Sequence, residues 1–252
     1  MIEFHDVCRS YGDKIAVDQL NLRIAAGELY AMLGHNGAGK TTAIKMLVGL
    51  LRPGSGNIRV GGFDLVAQTR EAVALIGYVP DQPFLYDKLS GRELLEFVAR
   101  MHGMDVRQTA RALEKGIQRF ELSEFVDGLT ESYSHGMKQR VAFAAALLHS
   151  PRALVIDEPL VGLDPHSIRL VKELLQAEVA AGMSVLMSTH TLSAAEEIAQ
   201  RVGIMHYGRL IFDGTVTQLR EKLGMGELSL EAMYLALTEG GAADRQAIEA
   251  KT

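Results

Sequence analysis

Cysteine is nearly missing from this sequence. Cys8 is the single one, so no disulfide can form within the chain, and a reducing compartment is expected. Long apolar runs are missing as well. The longest, "VAFAAALL", has eight residues, whereas a membrane span needs about 20; the chain on its own is expected to be soluble. Its first residues, "MIEFHDVCRS", have no basic stretch followed by an apolar one, so no signal peptide is expected. There is no basic excess: formal net charge is −5, and no stretch is strongly basic, so no nucleic-acid partner is expected. Repeats and low-complexity segments are absent too. What remains is 252 residues with 48% hydrophobic content, enough for one domain, or one core with a subdomain.

Short alternating segments open the chain, "MIEFHDV" and "LNLRI", around a turn at Tyr11-Gly12-Asp13; they read as strands. "GELYAML" reads as a buried strand running into a glycine-rich loop and then a helix, "TTAIKMLVGLL". "GSGNIRVGGFDL" reads as a hairpin and "ALIGYVP" as another buried strand. The character then changes. Ser90 and Glu93 form a capping-box pattern, and Leu94, Leu95, Phe97, Val98 and Met101 mark one expected helical face. Helical patterns continue to about Leu148. "ALVIDEP" and "SVLMSTH" return to buried strands on either side of the helix "HSIRLVKELLQAEVAAG", and "VGIMHYGRLIFDGT" gives two more around Gly208. Strand–helix alternation broken by a helical block predicts an α/β core with an all-helical subdomain inserted at about 84–147. Residues 1–238 form a single domain in this reading, residues 215–238 are a small helical end-piece, and 239–252 are a polar, frayed tail.

"GHNGAGKT" at 34–41 fits G-x-x-x-x-G-K-[ST], with a strand before it and a helix after it. Gly34, Gly37 and Gly39 let backbone amides curl around phosphate oxygens. The helix N-terminus adds its dipole. Lys40 supplies a charge for the outer phosphates, and Thr41 offers a hydroxyl to Mg²⁺. "ALVIDEP" sets two acids at the end of a buried strand, where ligands of open α/β sheets bind. Asp157 is thereby placed for Mg²⁺, and Glu158 for the attacking water. "YSHGMKQR" at 133–140 raises a different question. Ser134 reads as the cap of a helix, yet Gly136 in its first turn lowers helix propensity. A glycine there suggests that something approaches the backbone closely.

Together these elements resemble the nucleotide-binding subunit of the ATP-binding cassette (ABC) transporter family, over about residues 1–238. Tyr11 matches the family's adenine-stacking aromatic. "GHNGAGKTT", from Gly34 through His35, Asn36, Gly37, Ala38, Gly39, Lys40 and Thr41 to Thr42, matches the phosphate loop, "YSHGMKQR" the signature, "ALVIDEP" the acidic strand, "GLDP" with Asp164 the D-loop, and His190 the switch histidine. The resemblance implies a P-loop NTPase core of the ABC type with an antiparallel β subdomain and an inserted helical one. It implies ATP and Mg²⁺ as ligands. It also implies a second cassette, homologous or identical, packed head to tail so that Ser134, His135 and Gly136 reach ATP held by the partner. Catalysis by Glu158 and His190 follows from it, as does an integral membrane subunit that holds the chain at the cytoplasmic face. The exporter branch, with separately encoded membrane subunits, is the expected one.

Two places depart from the family pattern. Glutamine is usual after the strand ending here in "GYVP"; by offset Asp81 takes that place and Gln82 follows, and either can reach a metal or a water. In the signature, Tyr133, His135 and Met137 replace leucine, glycine and glutamine, while Ser134 and Gly136 remain. "PFLYDKL" offers Phe84, Leu85 and Tyr86 either as packing for the subdomain seam or as a groove for a membrane partner's helix. The alternative functions are a soluble mechanoenzyme of the same family, and a nucleotide-gated binding module with little turnover. A GTPase is disfavoured, since no N-K-x-D run is present.

Overall fold

The structure is a computed structural model that describes residues 1–224 and 228–238. Strands β1 (Ile2–Tyr11) and β2 (Lys14–Ile24) pair antiparallel through the Tyr11–Lys14 turn. β3 (Leu29–Leu33) is buried at every position, as a central parallel strand covered on both faces must be. It feeds the glycine-rich loop and α1 (Lys40–Leu47). β4 (Ser55–Val60) and β5 (Phe63–Asp64) form the expected hairpin, and β4 returns to β1, so the first sheet runs β2-β1-β4-β5. Next come α2 (Thr69–Val73) and β6 (Ile76–Val79), then the helices α3 (Gly91–Met101), α4 (Val106–Arg119) and α5 (His135–Leu147). The chain re-enters the core with β7 (Ala153–Asp157), α6 (Pro165–Ala180), β8 (Ser184–Thr189), α7 (Leu192–Ile198), β9 (Arg201–His206), β10 (Arg209–Gly214) and α8 (Val216–Leu223). The second sheet runs β10-β9-β3-β8-β7-β6; only its edge pair, β10 with β9, is antiparallel.

Period-two alternation on β3 divides the core. Tyr30 and Met32 face a cluster with Phe4, Ile44 and Met46, which joins the antiparallel sheet to α1. Leu29, Ala31 and Leu33 face the other cluster, with Leu175 of α6 and with Leu95 and Phe143 of the helical block. In the second sheet, Leu33 pairs with Thr189 and Asp157 with Ser188. The C-terminal ends of three adjacent strands therefore lie at one edge, where the loops that follow them converge.

The capping box on α3 is present in both directions: Ser90 Oγ accepts from Glu93 N–H at 3.2 Å, and Glu93 Oε2 from Ser90 N–H at 2.8 Å. The face expected for this helix needs correction. Leu94, Leu95 and Ala99 are buried, whereas Phe97 is 41% and Met101 73% exposed. The buried stripe is centred between Leu94 and Ala99, and at 100° per residue Phe97 and Met101 fall roughly 90–130° from its centre. The short helices α2 and α7 were not anticipated from sequence. α8 and a helix over 230–238 make up the described end-piece, and the tail at 239–252 lies outside the described residues. Among the described residues, no helix is long and apolar enough to cross a membrane.

Candidate nucleotide site

The loop between β3 and α1 is shaped by close backbone packing. Gly39 has φ +111°, and a Cβ there would lie 2.3 Å from the Ala16 carbonyl oxygen; one on Gly34 would lie 2.6 Å from the carbonyl oxygen of Met205. Only glycine fits at either place. α1 starts at Lys40 with no side-chain cap and no acid in its first turn. Its leading amides and the positive end of its dipole are thus left for an anion. The Lys40 ammonium is buried, donating to the Gly34 carbonyl at 2.6 Å, with Glu158 Oε1 at 3.9 Å. Burial pushes its pKa down, and the Glu158 and Asp157 charges work against that shift.

Asp157 ends β7 and is buried. Its Oδ1 accepts from the Ser188 hydroxyl, and the Thr41 side chain also bonds to it. Burial pushes this carboxyl's pKa up; the Ser188 and Thr41 bonds pull it down, and the Glu158 and Asp81 charges raise it further. Glu158 follows with φ +50°, in the left-handed region, at a cost of about 1–2 kcal/mol. Consecutive strand residues point to opposite faces, and this twist breaks the alternation: Asp157 and Glu158 line the same cavity of about 320 Å³, together with Lys40 and Thr41. Glu158 Oε2 also meets His190, at 2.9 Å from Nδ1, and accepts from its backbone N–H at 3.2 Å. The two residues expected to be catalytic are therefore in direct contact.

Both Asp81 and Gln82 line this cavity, along with Lys45 and Tyr78, which sequence reasoning passed over. Burial and the charges of Asp157 and Asp81 push the Tyr78 phenol up to about 12. Ser188 was also passed over; its bond to Asp157 follows from the strand register, which carries no sequence signal of its own. The donor set fits Mg²⁺. Asp157 and Thr41 offer hard oxygens, with Glu158 and Asp81 as nearby negative charge. No cluster of three or more acidic, histidine or cysteine side chains able to hold a metal exists among the described residues. Mg²⁺ suits such a site, since it commonly completes its shell with substrate phosphates and water.

The residues expected to form the signature lie elsewhere. Ser134 caps α5, accepting from Met137 N–H at 3.3 Å. Beside it, His135 Nε2 donates to the Val161 carbonyl at 3.1 Å, tying the start of α5 to the loop that leads to Asp164. Asp164 caps α6 in turn, taking the N–H groups of His166 and Ser167 at 3.0 Å each. A Cβ on Gly136 would come no closer than 3.6 Å to Asp164 or Ser167, an ordinary contact. Among the described residues, nothing requires glycine there. None of Ser134, His135 and Gly136 lines the Lys40 cavity. Tyr11, 49% exposed at the end of β1, lies outside it as well and carries the Arg9 guanidinium 5.3 Å above its ring.

A glycine loop leading into an uncapped helix, with a buried acidic strand end beside it in a parallel sheet, defines a P-loop nucleotide-binding protein. The chain belongs to the ABC transporter family, whose sequence model matches residues 17–161, and it is an ATP-binding subunit of that family. It is 37% identical to the daunorubicin resistance ATP-binding protein DrrA3 of Streptomyces coeruleorubidus, over 86% of this chain and 68% of that one. It is 36% identical to the Nod factor export ATP-binding protein I of Rhizobium etli, over 88% of this chain and 70% of that one. The solved ATP-binding subunit of an ABC transporter superposes with a TM-score of 0.89 at 32% identity, covering 94% of this chain and 99% of that one. A dimeric bacterial ABC transporter cassette, at 24% identity and a TM-score of 0.78, shares the fold.

Proposed function

We propose that the chain hydrolyses ATP and powers export through a separate membrane subunit, working as a head-to-tail pair with a second copy of itself. The observation that carries this reading is the Glu158–His190 contact at 2.9 Å beside the buried Lys40. A base held by a histidine next to a phosphate loop suits water attack on a phosphoryl group. Lys40 and the α1 amides bind the phosphates, and Tyr11 stacks on adenine. Thr41 and Asp157, with Asp81 or Gln82 nearby, would hold Mg²⁺, which would supply positive charge against the phosphates. Glu158 takes a proton from the water as its oxygen bonds to the γ-phosphorus; the bond from that phosphorus to the bridging oxygen breaks, and ADP leaves with the electron pair. His190 holds the Glu158 carboxylate in place for this transfer.

A second cassette, identical or homologous, is called for because Ser134 and Gly136 sit away from the Lys40 cavity; a second copy of this chain is the partner proposed. Across a head-to-tail pair, the helix start at Gly136 meets the γ-phosphate of the partner's ATP, with Ser134 adding a hydroxyl and His135 a ring beside it. Asp164, held by Ser167, lies against Gly136 and links the two sites. Resistance and export proteins among the relatives support the export direction.

Docking to the membrane subunit uses an exposed aromatic row. Leu85 is buried in the seam, while Phe84 is 85% and Tyr86 53% exposed. Tyr86 packs edge-on between Phe84 and Phe97, at 6.2 and 5.8 Å between centroids. Such a row suits an apolar helix of a membrane protein, which would hold the chain at the cytoplasmic face. The test is recovery of an integral membrane protein with the chain from native membranes in detergent. ATPase activity should rise in that complex, and Phe84→Asp should abolish recovery while leaving the isolated chain's ATPase unchanged. Failure to recover any membrane protein, with ATPase that rises with nucleic acid instead, would favour the soluble mechanoenzyme.

A further inference from the structure

A second cavity, of about 1110 Å³, opens at the N-terminal end of β7, whereas Asp157 stands at that strand's other end. One wall is α4, which presents Arg111, Lys115 and Arg119; another carries Arg152, just before β7. Glu178 is the single acid in the lining, against these four basic side chains. The surplus of three positive charges stands out in a chain whose net charge is −5.

Little among the described residues answers that charge. Glu178 is taken by Arg119 in an ion pair. Among the described residues, Arg111, Lys115 and Arg152 have no side-chain hydrogen bond or ion pair. Arg111, Lys115 and Arg119 follow one another at intervals of four along one face of α4, and like charges at that spacing destabilise a helix. The C-terminal ends of α5 and α6 open on the same cleft. Their dipoles are each equivalent to about half a negative charge and offset only part of the excess.

The lining also holds an unsatisfied polar group. His149 stacks on His102 with ring centroids 3.8 Å apart and planes 7° from parallel. Both of its ring nitrogens are buried without a hydrogen bond of good geometry, although the Ile76 backbone lies close by. These nitrogens are closed to solvent, so the stacked rings wall the cleft without offering a ligand a polar contact.

We propose that this cleft binds a soluble small molecule carrying phosphate groups, gripped between Arg111 and Lys115 on α4 and Arg152 on the core. The cavity lies slightly above the usual volume of small-molecule sites, about 300–1,000 Å³, and so admits a sugar phosphate. Guanidinium forks match phosphate oxygens in pairs, while the Lys115 ammonium acts as a point charge. Such a ligand would tie the helical block to the core sheet.

The test is a calorimetric titration of the full chain with fructose 1,6-bisphosphate, with ADP and Mg²⁺ saturating the phosphate loop. The expected result is saturable one-to-one binding, weakened at least about tenfold by Arg152→Gln and by the double variant Arg111→Gln, Lys115→Gln. These side chains are exposed, and unchanged ADP affinity would show that the variants remain folded. The absence of saturable binding up to about 10 mM probe, or equal affinity in the variants, would overturn the proposal. A parallel arm uses sedimentation with phosphatidylglycerol vesicles. Binding to vesicles through the same three residues, without binding of the soluble probe, would assign the cleft to a lipid headgroup and overturn it as well.

Discussion

Ser188 shows how one hydroxyl conditions the acidic side of the site. It sits directly across from Asp157 in the β7–β8 ladder and donates to its Oδ1. That bond aims a buried carboxylate and holds its pKa down against burial, as residues behind metal ligands generally do. Ser188→Ala should therefore raise the Mg²⁺ concentration that gives half-maximal ATPase by about tenfold, with the KM for ATP at saturating Mg²⁺ little changed. A KM rise at every Mg²⁺ concentration would mean that Ser188 serves the nucleotide pocket instead. Lys40, Thr41, Asp157 and Glu158 are legible in the sequence because each lies in a contiguous run whose chemistry is local. Ser188 was not legible, since its partner is 31 residues away and only strand register joins them. The left-handed twist at Glu158, which turns both acids into one cavity, has no signal in the residue type either.

Among the elements, α3 and α5 are held together by Tyr133, the residue that stands where the family has leucine. Its hydroxyl accepts from the Gly91 N–H at 3.1 Å and donates to the Phe125 carbonyl at 2.7 Å. A Cβ on Gly91 would lie 2.6 Å from that oxygen, so glycine makes room for the phenol. Tyr133→Phe leaves a buried N–H and a carbonyl without this partner, and should lower unfolding stability by about 1–3 kcal/mol in urea titrations. Unchanged stability would show that water replaces the hydroxyl.

At the far ends of the same helices stand His102 and His149. Burial, with the His102 ring beside it, lowers His149 from 6.5 to about 4, and burial lowers His102 too. As pH falls from 6.5 toward 4, the unfolded chain binds a proton at His149 that the folded chain refuses, so stability drops in that window. His149→Gln should flatten the stability–pH curve between those values; an unchanged slope would remove His149 as its source. Helix and strand identity along this part of the chain was readable from periodicity and capping. The contacts that join the elements were not, because they depend on how the helices pack.

For the whole molecule, the β–α alternation and the helical block were readable in the sequence, whereas the sheet order and the basic cleft were not. Arg111, Lys115 and Arg152 lie up to 41 residues apart, so no basic run marks them, and only the fold gathers them into one wall. The run that begins at Tyr133 looked like a helix start with an unexplained glycine, and among the described residues that glycine has no packing reason. In the proposed pair, a partner's phosphate would supply one. His135, bonded to the Val161 carbonyl, ties that helix start to the loop before Asp164. Changing His135 to glycine should therefore leave ATP-driven pairing intact if the backbone at Gly136 carries the contact, and loss of pairing would assign the contact to the imidazole. The most direct test of the paired site is the solution mass of the Glu158→Gln variant, by light scattering with ATP and Mg²⁺ and then with ADP. A chain whose signature completes its partner's site should have twice the monomer mass with ATP and the monomer mass with ADP. Monomer mass with ATP demonstrably bound would contradict the account.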